Sequence, residues 1–390
     1  MTSRTIRFEA LDAMRGLCAV MVVLFHLPTD SHVRDLPLVQ HAYLFVDFFF
    51  VLSGFVMAHS YGGRIGDLRD AGRFLGRRLG RVWPLHAAVL AAFVLLELAR
   101  LAFAFDPVEP FADDRPPVAI LTNILLIQGL HLHDSLTWNG PAWSISVELA
   151  AYAVFAALLL AAPKRFALVA IPLAVGCALL VVTQAERWMN TTHDWGWARA
   201  LYGFLVGCLV HRLWRLAPPP ARLAAPLQIL SLVVVLLFVW FAVGPWTVLA
   251  PLPFALAVWA LSDDGTRLGR ALSTPAPSAL GRWSYSIYMN HMLVIIPTMI
   301  VARKLPGVVD GRRIDVGPTW ANDLITLGVV LAIVALSALT FRFIEGPGRD
   351  LANRWVDRLS PPRTTRPAPS PTDPGSGTAA RPETRRSAAG

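Results

Sequence analysis

Residues 11–27, LDAMRGLCAVMVVLFHL, form an apolar segment that contains an arginine and a histidine, Arg15 and His26. These two residues are eleven positions apart, which in an α-helix is about 16 Å of rise and a net rotation of about 20°, so both would lie on one face. A charge in the middle of a membrane helix costs at least about 2.5–3.5 kcal/mol, and such residues normally face the protein interior or a water-filled cavity. The segment therefore predicts a membrane helix with a functional face. The alternative is an arginine that reaches the cytoplasmic surface and a histidine hydrogen-bonded to a neighbouring helix.

The composition of the whole chain also indicates an integral membrane protein. Of its 390 residues, 55% are hydrophobic and 16% are charged, and the mean hydropathy is +0.52, which is too apolar for an ordinary soluble domain. The net charge of +9 does not indicate a nucleic-acid partner, because the arginines lie in short loops and in the C-terminal tail. The three cysteines lie in apolar segments without the spacing of metal ligands, so we expect no metal cofactor.

The apolar segments predict an all-α polytopic membrane helical bundle with about ten transmembrane helices. Each segment is near the length that crosses about 30 Å of hydrocarbon. The predicted spans are 10–27, 42–60, 83–105, 143–162, 166–183, 198–213, 227–243, 246–262, 284–302 and 321–344. The apolar segment 118–130 would cover only about 20 Å as a helix, so we interpret it as a short re-entrant segment.

The distribution of arginines predicts the orientation of the bundle. With the N-terminus in the cytoplasm, the arginine-rich loop 61–82 lies inside, as the positive-inside rule requires, and the acidic loop 106–114 lies outside. If segment 118–130 does not cross the membrane, most arginines and lysines of the following loops also lie on the cytoplasmic side. The loop 303–313 is the exception. We therefore predict that both termini are cytoplasmic.

The chain divides into a predicted transmembrane domain, residues 1–350, and a cytoplasmic tail, residues 351–390. From about Ser360 the tail is rich in Pro, Ser, Thr, Gly and Arg and has almost nothing to bury. We expect it to be disordered.

An aspartate lies near the start of the second predicted span, in FVDFFFVLSGFVMAHS, residues 45–60. If the first two spans are antiparallel neighbours, Asp47 lies near the depth of His26. An Asp beside a His fixes its tautomer and raises its basicity, as a general base requires. The alternative is a carboxylate that faces the outer aqueous surface. Ser53 and Gly54, in the same span, are predicted to serve close helix packing.

Two arginines three positions apart, Arg78 and Arg81, lie on one face of the helix start in FLGRRLGRVWP, residues 74–84. Two guanidinium groups at this spacing can bind phosphates bidentately. Positive-inside anchoring explains arginines in this loop without any ligand. Both interpretations stay open at this point.

Two later motifs add polar residues to the predicted bundle. NGPAWSISVE, residues 139–148, places Glu148 at the depth of the outer leaflet, as a site carboxylate or as the structural partner of an arginine, and Trp143 in a predicted interfacial belt. SYSIYMNHM, residues 284–292, places a serine, a tyrosine and a histidine on one helical stripe, which predicts either a lined cavity or a hydrogen-bonded seam between helices. Near the end of the last span, Glu345 is interpreted as part of a helix stop.

The order and spacing of these motifs resemble the bacterial membrane acyltransferase 3 family. The resemblance extends over about residues 7–350 and rests on RG with a histidine eleven residues after the arginine, VDFFFVLSGF (46–55), RRLGRVWP (77–84), WSISVE (143–148), SYSIYMNH (284–291) and FIEGP (343–347). It implies an enzyme that moves acyl groups, commonly acetyl, from cytoplasmic acyl-CoA to hydroxyls of surface glycans or small glycosides.

The resemblance also implies roles for individual residues. Arg15 and His26 match the essential N-terminal pair of the family, and Arg78 and Arg81 match its paired arginines on the acyl-CoA side. Glu148 matches its acidic residue after the WS motif. Together with the argument from Asp47, the predicted catalytic residues are His26, Asp47 and Glu148. The predicted acyl-CoA-binding residues are Arg15, Arg78, Arg81, Tyr288 and His291.

The predicted function is thus that of an O-acyltransferase of the bacterial plasma (inner) membrane. Its predicted partners are acyl-CoA, membrane lipid and an acceptor that is a glycan, a lipid-linked sugar or a small glycoside. The alternative is a proton-coupled secondary transporter, because buried Arg, His, Asp and Glu also line proton pathways. Such transporters commonly show inverted repeats and broken helices, and neither pattern is visible in this sequence.

Overall fold

A computed structural model describes residues 8–105, 108–112 and 114–359. The part of the tail predicted to be disordered, from Ser360 onwards, lies outside these residues. The helices are α1 (Glu9–His26), α2 (Pro37–Gln40), α3 (Phe45–Tyr61), α4 (Leu68–Phe103), α5 (Ala119–Ile124), α6 (Trp143–Ala161), α7 (Phe166–Gln184), α8 (Gly196–Leu216), α9 (Ala224–Phe241), α10 (Pro251–Ala260), α11 (Arg267–Leu272), α12 (Pro275–Ala302), α13 (Thr319–Thr340) and α14 (Gly346–Leu359). Strands β1 (Val309–Asp310) and β2 (Arg313–Ile314) form a short antiparallel hairpin. The predicted all-α membrane bundle is confirmed.

Helices occur at all ten predicted spans. Among the described residues, seven helical segments are long and apolar enough to cross a membrane: Ala42–Tyr61, Leu68–Phe103, Gly140–Ala161, Pro163–Gln184, Ala224–Phe241, Pro275–Ala302 and Thr319–Leu359. The other three predicted spans correspond to α1 and α8, which carry several charged residues, and to the shorter apolar segment Gly244–Ala260.

The predicted re-entrant segment contains only the six-residue helix α5, which ends at a turn with a positive φ at Leu126. The direction of the neighbouring helices agrees with this. Helices α3 and α8 run parallel, because Asp47 meets Arg199 near their starts and Gly54 meets Phe204 further along. Three long helices, α4, α6 and α7, lie between α3 and α8 in the chain, so the two are parallel only if α5 does not cross the bundle.

Helix α4 begins fifteen residues before the predicted span at 83, so most of the predicted arginine-rich loop 61–82 is helical. Its 36 residues correspond to about 54 Å, which exceeds the hydrocarbon thickness of about 30 Å. Asp67 caps its first turn by accepting a hydrogen bond from the Asp70 amide at 2.9 Å. The arginines lower the local hydropathy without lowering helix propensity, so the helix extends beyond the apolar segment that hydropathy identifies.

Helix α14 extends beyond the predicted boundary at residue 350, to Leu359. This helix packs on α4, where a Cβ atom on Gly80 would lie 2.4 Å from the Cβ of Ala352. Asp357 accepts hydrogen bonds from Arg73 and Arg77 at 2.9 and 2.7 Å. Residues 351–359 are therefore part of the folded unit.

Two parallel helix pairs form the centre of the bundle, α1 with α12 and α3 with α8. Glycines bring both pairs together: a Cβ atom on Gly16 would lie 2.5 Å from the Leu280 carbonyl carbon, and one on Gly54 would lie 1.9 Å from the Phe204 oxygen. Small residues allow such backbone contact between membrane helices. The predicted packing role of Gly54 is confirmed.

Candidate functional site

A cavity of about 170 Å³ lies between α1, α3, α4, α6 and α12. Apolar side chains of α3, among them Phe49 and Phe50, form part of its wall. Its polar lining consists of Arg15, Ser53, Arg78, Arg81, Ser144, Glu148, Tyr152, Ser284, Tyr285 and Tyr288. Five of the eight predicted site residues are therefore brought together around one space.

Arg15 faces this cavity and not the lipid. Its Nε donates to the Ser284 hydroxyl at 2.8 Å and its Nη2 donates to the Gly281 carbonyl at 3.0 Å. Asp12 lies 3.3 Å from the same nitrogen. The guanidinium group is thus held by α12, close to the point where Gly16 brings α1 against α12. The Arg15 side chain keeps 28% of its surface exposed.

Arg78 and Arg81 both line the cavity, but their partners differ. Arg81 donates to Glu345 at 3.0 Å, and the other oxygen of this fully buried carboxylate accepts from Ser286 at 2.7 Å. Arg78 makes a long contact of 3.4 Å with the Tyr61 hydroxyl, and its buried Nε has no hydrogen-bond partner among the described residues. Arg78 therefore has a buried donor, Nε, that no described residue uses. Glu345, interpreted from the sequence as part of a helix stop, positions Arg81.

Glu148 lies on the cavity wall and accepts a hydrogen bond of 2.6 Å from the Tyr152 hydroxyl. The same hydroxyl lies 2.8 Å from Ser53 Oγ. Ser53, predicted to serve helix packing alone, is thus also a polar lining residue. Tyr152 was missed, although its spacing of four residues from Glu148 places the two side chains on one helical face.

His26 and His291 are neighbours, with ring centroids 4.9 Å apart. Nδ1 of His26 lies 2.9 Å from the Val22 carbonyl, and Nδ1 of His291 lies 2.6 Å from the Tyr288 carbonyl. Because a carbonyl oxygen only accepts, each Nδ1 carries a proton, and in the neutral ring each Nε2 then presents a lone pair. Nε2 of His291 is buried without a hydrogen-bond partner among the described residues.

Neither histidine lines the cavity. Both lie beyond Tyr288, which is part of the cavity wall. Tyr288 lines the cavity and its hydroxyl accepts from Ser144 at 2.9 Å. The Tyr288 and His291 ring centroids are 5.9 Å apart, and His26 follows, half-buried, beyond His291. A row of three polar rings therefore leads from the cavity to the end of α1.

Asp47 is not a partner of His26, which corrects the sequence-based expectation. Its two oxygens accept from Nε and Nη2 of Arg199 at 3.0 and 2.8 Å. Arg199 also donates to two backbone carbonyls and lies 5.5 Å over the ring of Trp143. Because α3 packs so closely on α8, Asp47 points towards α8, and the Val22 carbonyl sets the tautomer of His26. Trp143 is likewise buried and does not belong to an interfacial belt.

One carboxylate outside the spans supports the position of α1. Asp264 accepts hydrogen bonds from the Glu9 and Ala10 amides, both at 3.0 Å, and so caps the start of this helix. Burial raises the pKa of Asp264, while the two amide hydrogen bonds oppose this shift. No group of three or more metal-ligating side chains occurs in the part of the chain that the structure describes.

The family model described as an acyltransferase domain, that of the acyltransferase 3 family, matches residues 8–342. The chain belongs to the acyltransferase 3 family. A Rhizobium radiobacter protein named protein 2 in the picA locus is 34% identical over 190 residues, 46% of this chain and 96% of that protein. The acyltransferase MdmB of Streptomyces mycarofaciens is 25% identical over 396 residues, 91% of this chain and 95% of that protein. No solved structure matches the chain.

Membership of the acyltransferase 3 family agrees with the helical bundle and with the residues around its cavity. The protein is an integral membrane enzyme that transfers acyl groups. The transporter alternative gains no support from these relatives.

Proposed function

We propose that this acyltransferase moves a short acyl group, namely acetyl, from acyl-CoA to a hydroxyl of a glycan or glycoside. The observation that supports the proposal is the arrangement of the cavity: guanidinium groups at one end, and a row of rings that leads to His26 at the other. Donor and acceptor can then approach from opposite ends of the bundle. We assign the Arg78 end to the cytoplasm of a bacterium, because acyl-CoA is a cytoplasmic donor and arginines favour that side.

The donor is proposed to bind with its phosphates near Arg78 and Arg81. Hydrogen bonds from guanidinium to phosphate are among the strongest in proteins. Nε of Arg78 has no hydrogen-bond partner among the described residues. Pockets for drug-sized ligands have roughly 300–1,000 Å³, whereas this cavity has about 170 Å³. The cavity therefore fits a thioester with a short acyl chain, and the nucleotide stays at its mouth. Arg15 and Glu148 lie where they can bind the carbonyl and amide groups of the pantetheine arm.

The acceptor hydroxyl is proposed to lose its proton to Nε2 of His26 as its oxygen attacks the thioester carbonyl. The C–S bond then breaks, an ester forms, and the departing CoA thiolate takes the proton back. The rings of Tyr288 and His291 line the path between the two substrates. A positioned base contributes typically about 10²–10⁴-fold. In a variant of this mechanism, Nε2 of His26 first takes the acyl group itself and passes it to the acceptor.

The test is the release of free thiol from acetyl-CoA by the purified full-length protein, with a panel of alkyl glycosides as acceptors and mass spectrometry of the products. We expect thiol release with one acetyl mass gained by an acceptor, and a loss of about 10²–10⁴-fold in His26→Ala. His32→Ala, which removes an exposed histidine paired with Asp323, is the matched control and should keep the wild-type rate.

Two results would overturn the proposal. Transfer at the wild-type rate by His26→Ala excludes His26 as base and as acyl carrier. Acyl transfer to an acceptor without consumption of acyl-CoA excludes the donor. A comparison of surface glycans, lipids and secreted glycosides from cells with and without the gene then identifies the acceptor by its lost acyl mass.

A further inference from the structure

A second, larger cavity lies outside the catalytic region, in a groove between α12, the end of α13 and α14. Its volume is about 850 Å³, within the range of pockets that hold drug-sized ligands, roughly 300–1,000 Å³. Its apolar lining includes Trp283, Leu339 and Phe341, and its charged lining consists of Arg342, Arg349, Arg354 and Asp350. Asp350 pairs with Arg349 at 3.2 Å, so the groove keeps a net positive charge.

The surroundings of the groove match the surface of a bilayer. Leu339, near the end of α13, and Phe343, in the turn that follows it, are 55% and 66% exposed, which continues the apolar floor onto the face that α13 turns away from the bundle. Helix α14 also exposes Leu351, Trp355 and Leu359 at four-residue spacing. An apolar stripe of this kind beside arginines is typical of a helix that lies in the membrane interface.

We propose that this groove binds one anionic phospholipid, with its phosphate between Arg342 and Arg354 and its acyl chains along Leu339 and Phe343. Guanidinium groups bind phosphate oxygens bidentately, and basic pockets at the cytoplasmic ends of membrane helices bind anionic lipid head groups. A soluble phosphate uses only the charged half of this groove. The apolar half favours a lipid as the source of the phosphate.

The groove shares one short segment with the catalytic cavity. Residues Phe341–Glu345 form a single π-helical turn, a conformation that is frequent at functional sites. Arg342 of this turn lines the groove, while Glu345 of the same turn holds Arg81 at 3.0 Å. A bound lipid therefore restrains the segment that positions a cavity arginine.

The experiment measures lipid binding to the purified full-length protein by native mass spectrometry, without any acyl donor, so its outcome does not depend on the proposed catalytic function. Phosphatidylglycerol and phosphatidylcholine of identical acyl chains are the probes. We expect wild-type protein to retain phosphatidylglycerol at least about tenfold more strongly. Arg342→Ala/Arg354→Ala should abolish this preference. The control variant Arg358→Ala/Arg267→Ala removes the same charge from exposed positions outside the groove. It should retain the preference for phosphatidylglycerol.

Two further measurements distinguish the sources of the phosphate and the position of the lipid. Inorganic phosphate at millimolar concentration should not displace phosphatidylglycerol; displacement would show a site for a free anion and overturn the proposal. Hydrogen exchange of residues 341–350 should slow when phosphatidylglycerol is added to the wild-type protein and not to the groove variant. Equal lipid preference in the groove and control variants, both with wild-type melting temperatures, would also overturn it.

Discussion

The two parallel helix pairs at the centre of this protein differ in the exposure and hydrogen bonding of their polar residues. In the α3–α8 pair, Asp47 and Arg199 are 0% and 1% exposed, and both carboxylate oxygens and all three guanidinium nitrogens have hydrogen-bond partners. In the α1–α12 pair, Arg15 remains 28% exposed beside a cavity, and Nε2 of His291 is buried without a partner in the described chain.

Structural and substrate-binding polar groups in a membrane bundle therefore differ in how many of their hydrogen bonds are satisfied. A buried charge whose hydrogen bonds are all satisfied has no capacity left for a substrate, and it serves the packing of the helices. A polar group left with free donors or a free lone pair is costly unless a ligand uses it. By this criterion we propose a structural role for Asp47, and we propose that Arg78, which lines the cavity, and the two histidines beside it act on substrates.

The largest effect that tests this comparison is expected from Asp47→Ala. The substitution leaves Arg199 charged and buried without its partner, which costs about 3–5 kcal/mol. The melting temperature of the purified protein should fall steeply, and Asp47→Ala/Arg199→Met should recover part of the loss. If Asp47→Ala instead keeps the wild-type melting temperature and abolishes acyl transfer, Asp47 is catalytic and the comparison fails.

Gly54→Ala should have the next largest effect. The added methyl group would lie 1.9 Å from the Phe204 oxygen, so α3 and α8 must separate, at a cost of about 1–3 kcal/mol or more. Gly328→Ala, in helix α13, meets no atom within 4 Å and should leave the melting temperature unchanged or slightly raised. Equal melting temperatures for the two variants would show that the α3–α8 contact is not as close as described.

Arg78→Ala should weaken donor binding while the fold is retained. Hydrogen bonds to charged groups contribute about 1.5–3 kcal/mol, so we expect KM for acyl-CoA to rise at least about tenfold. Arg64→Ala, an exposed arginine outside the cavity, is the control. An unchanged KM in Arg78→Ala would assign this arginine to membrane anchoring.

The smallest effect concerns the start of α1. Because burial raises the pKa of Asp264 above its usual value of 3.8, the folded protein holds this proton more tightly than the unfolded chain. The stability that this group contributes is complete below about pH 3.8 and is lost as the pH rises through the raised pKa. The melting temperature of the wild type relative to Asp264→Asn should therefore decline over this pH range and stay constant above it. A relative increase over the same range would show that the amide hydrogen bonds outweigh burial.

The sequence motifs by themselves located most of the candidate site. One cavity is lined by five of the predicted residues, Arg15, Arg78, Arg81, Glu148 and Tyr288. His291 and His26 lie next to it, in a row that begins at Tyr288. The motifs did not predict which side chains contact one another. The roles of Glu345 and Tyr152 were missed because each acts through a residue of the candidate site, Arg81 and Glu148. The predicted Asp47–His26 pair was wrong because it assumed that α3 turns Asp47 towards α1.

Hydropathy and motif spacing were sufficient to predict the helical membrane bundle, the approximate positions of its spans and the family, because both are properties of residues along the chain. Which polar groups have hydrogen-bond partners could be read only from the packed helices. That depends on which helix faces pack together, and here glycine contacts such as Gly54 with Phe204 set those faces. For the same reason the arginines of Phe341–Leu359 appeared in the sequence as scattered cations, and only the packing of α14 on α4 and beside α12 gathers three of them around one groove.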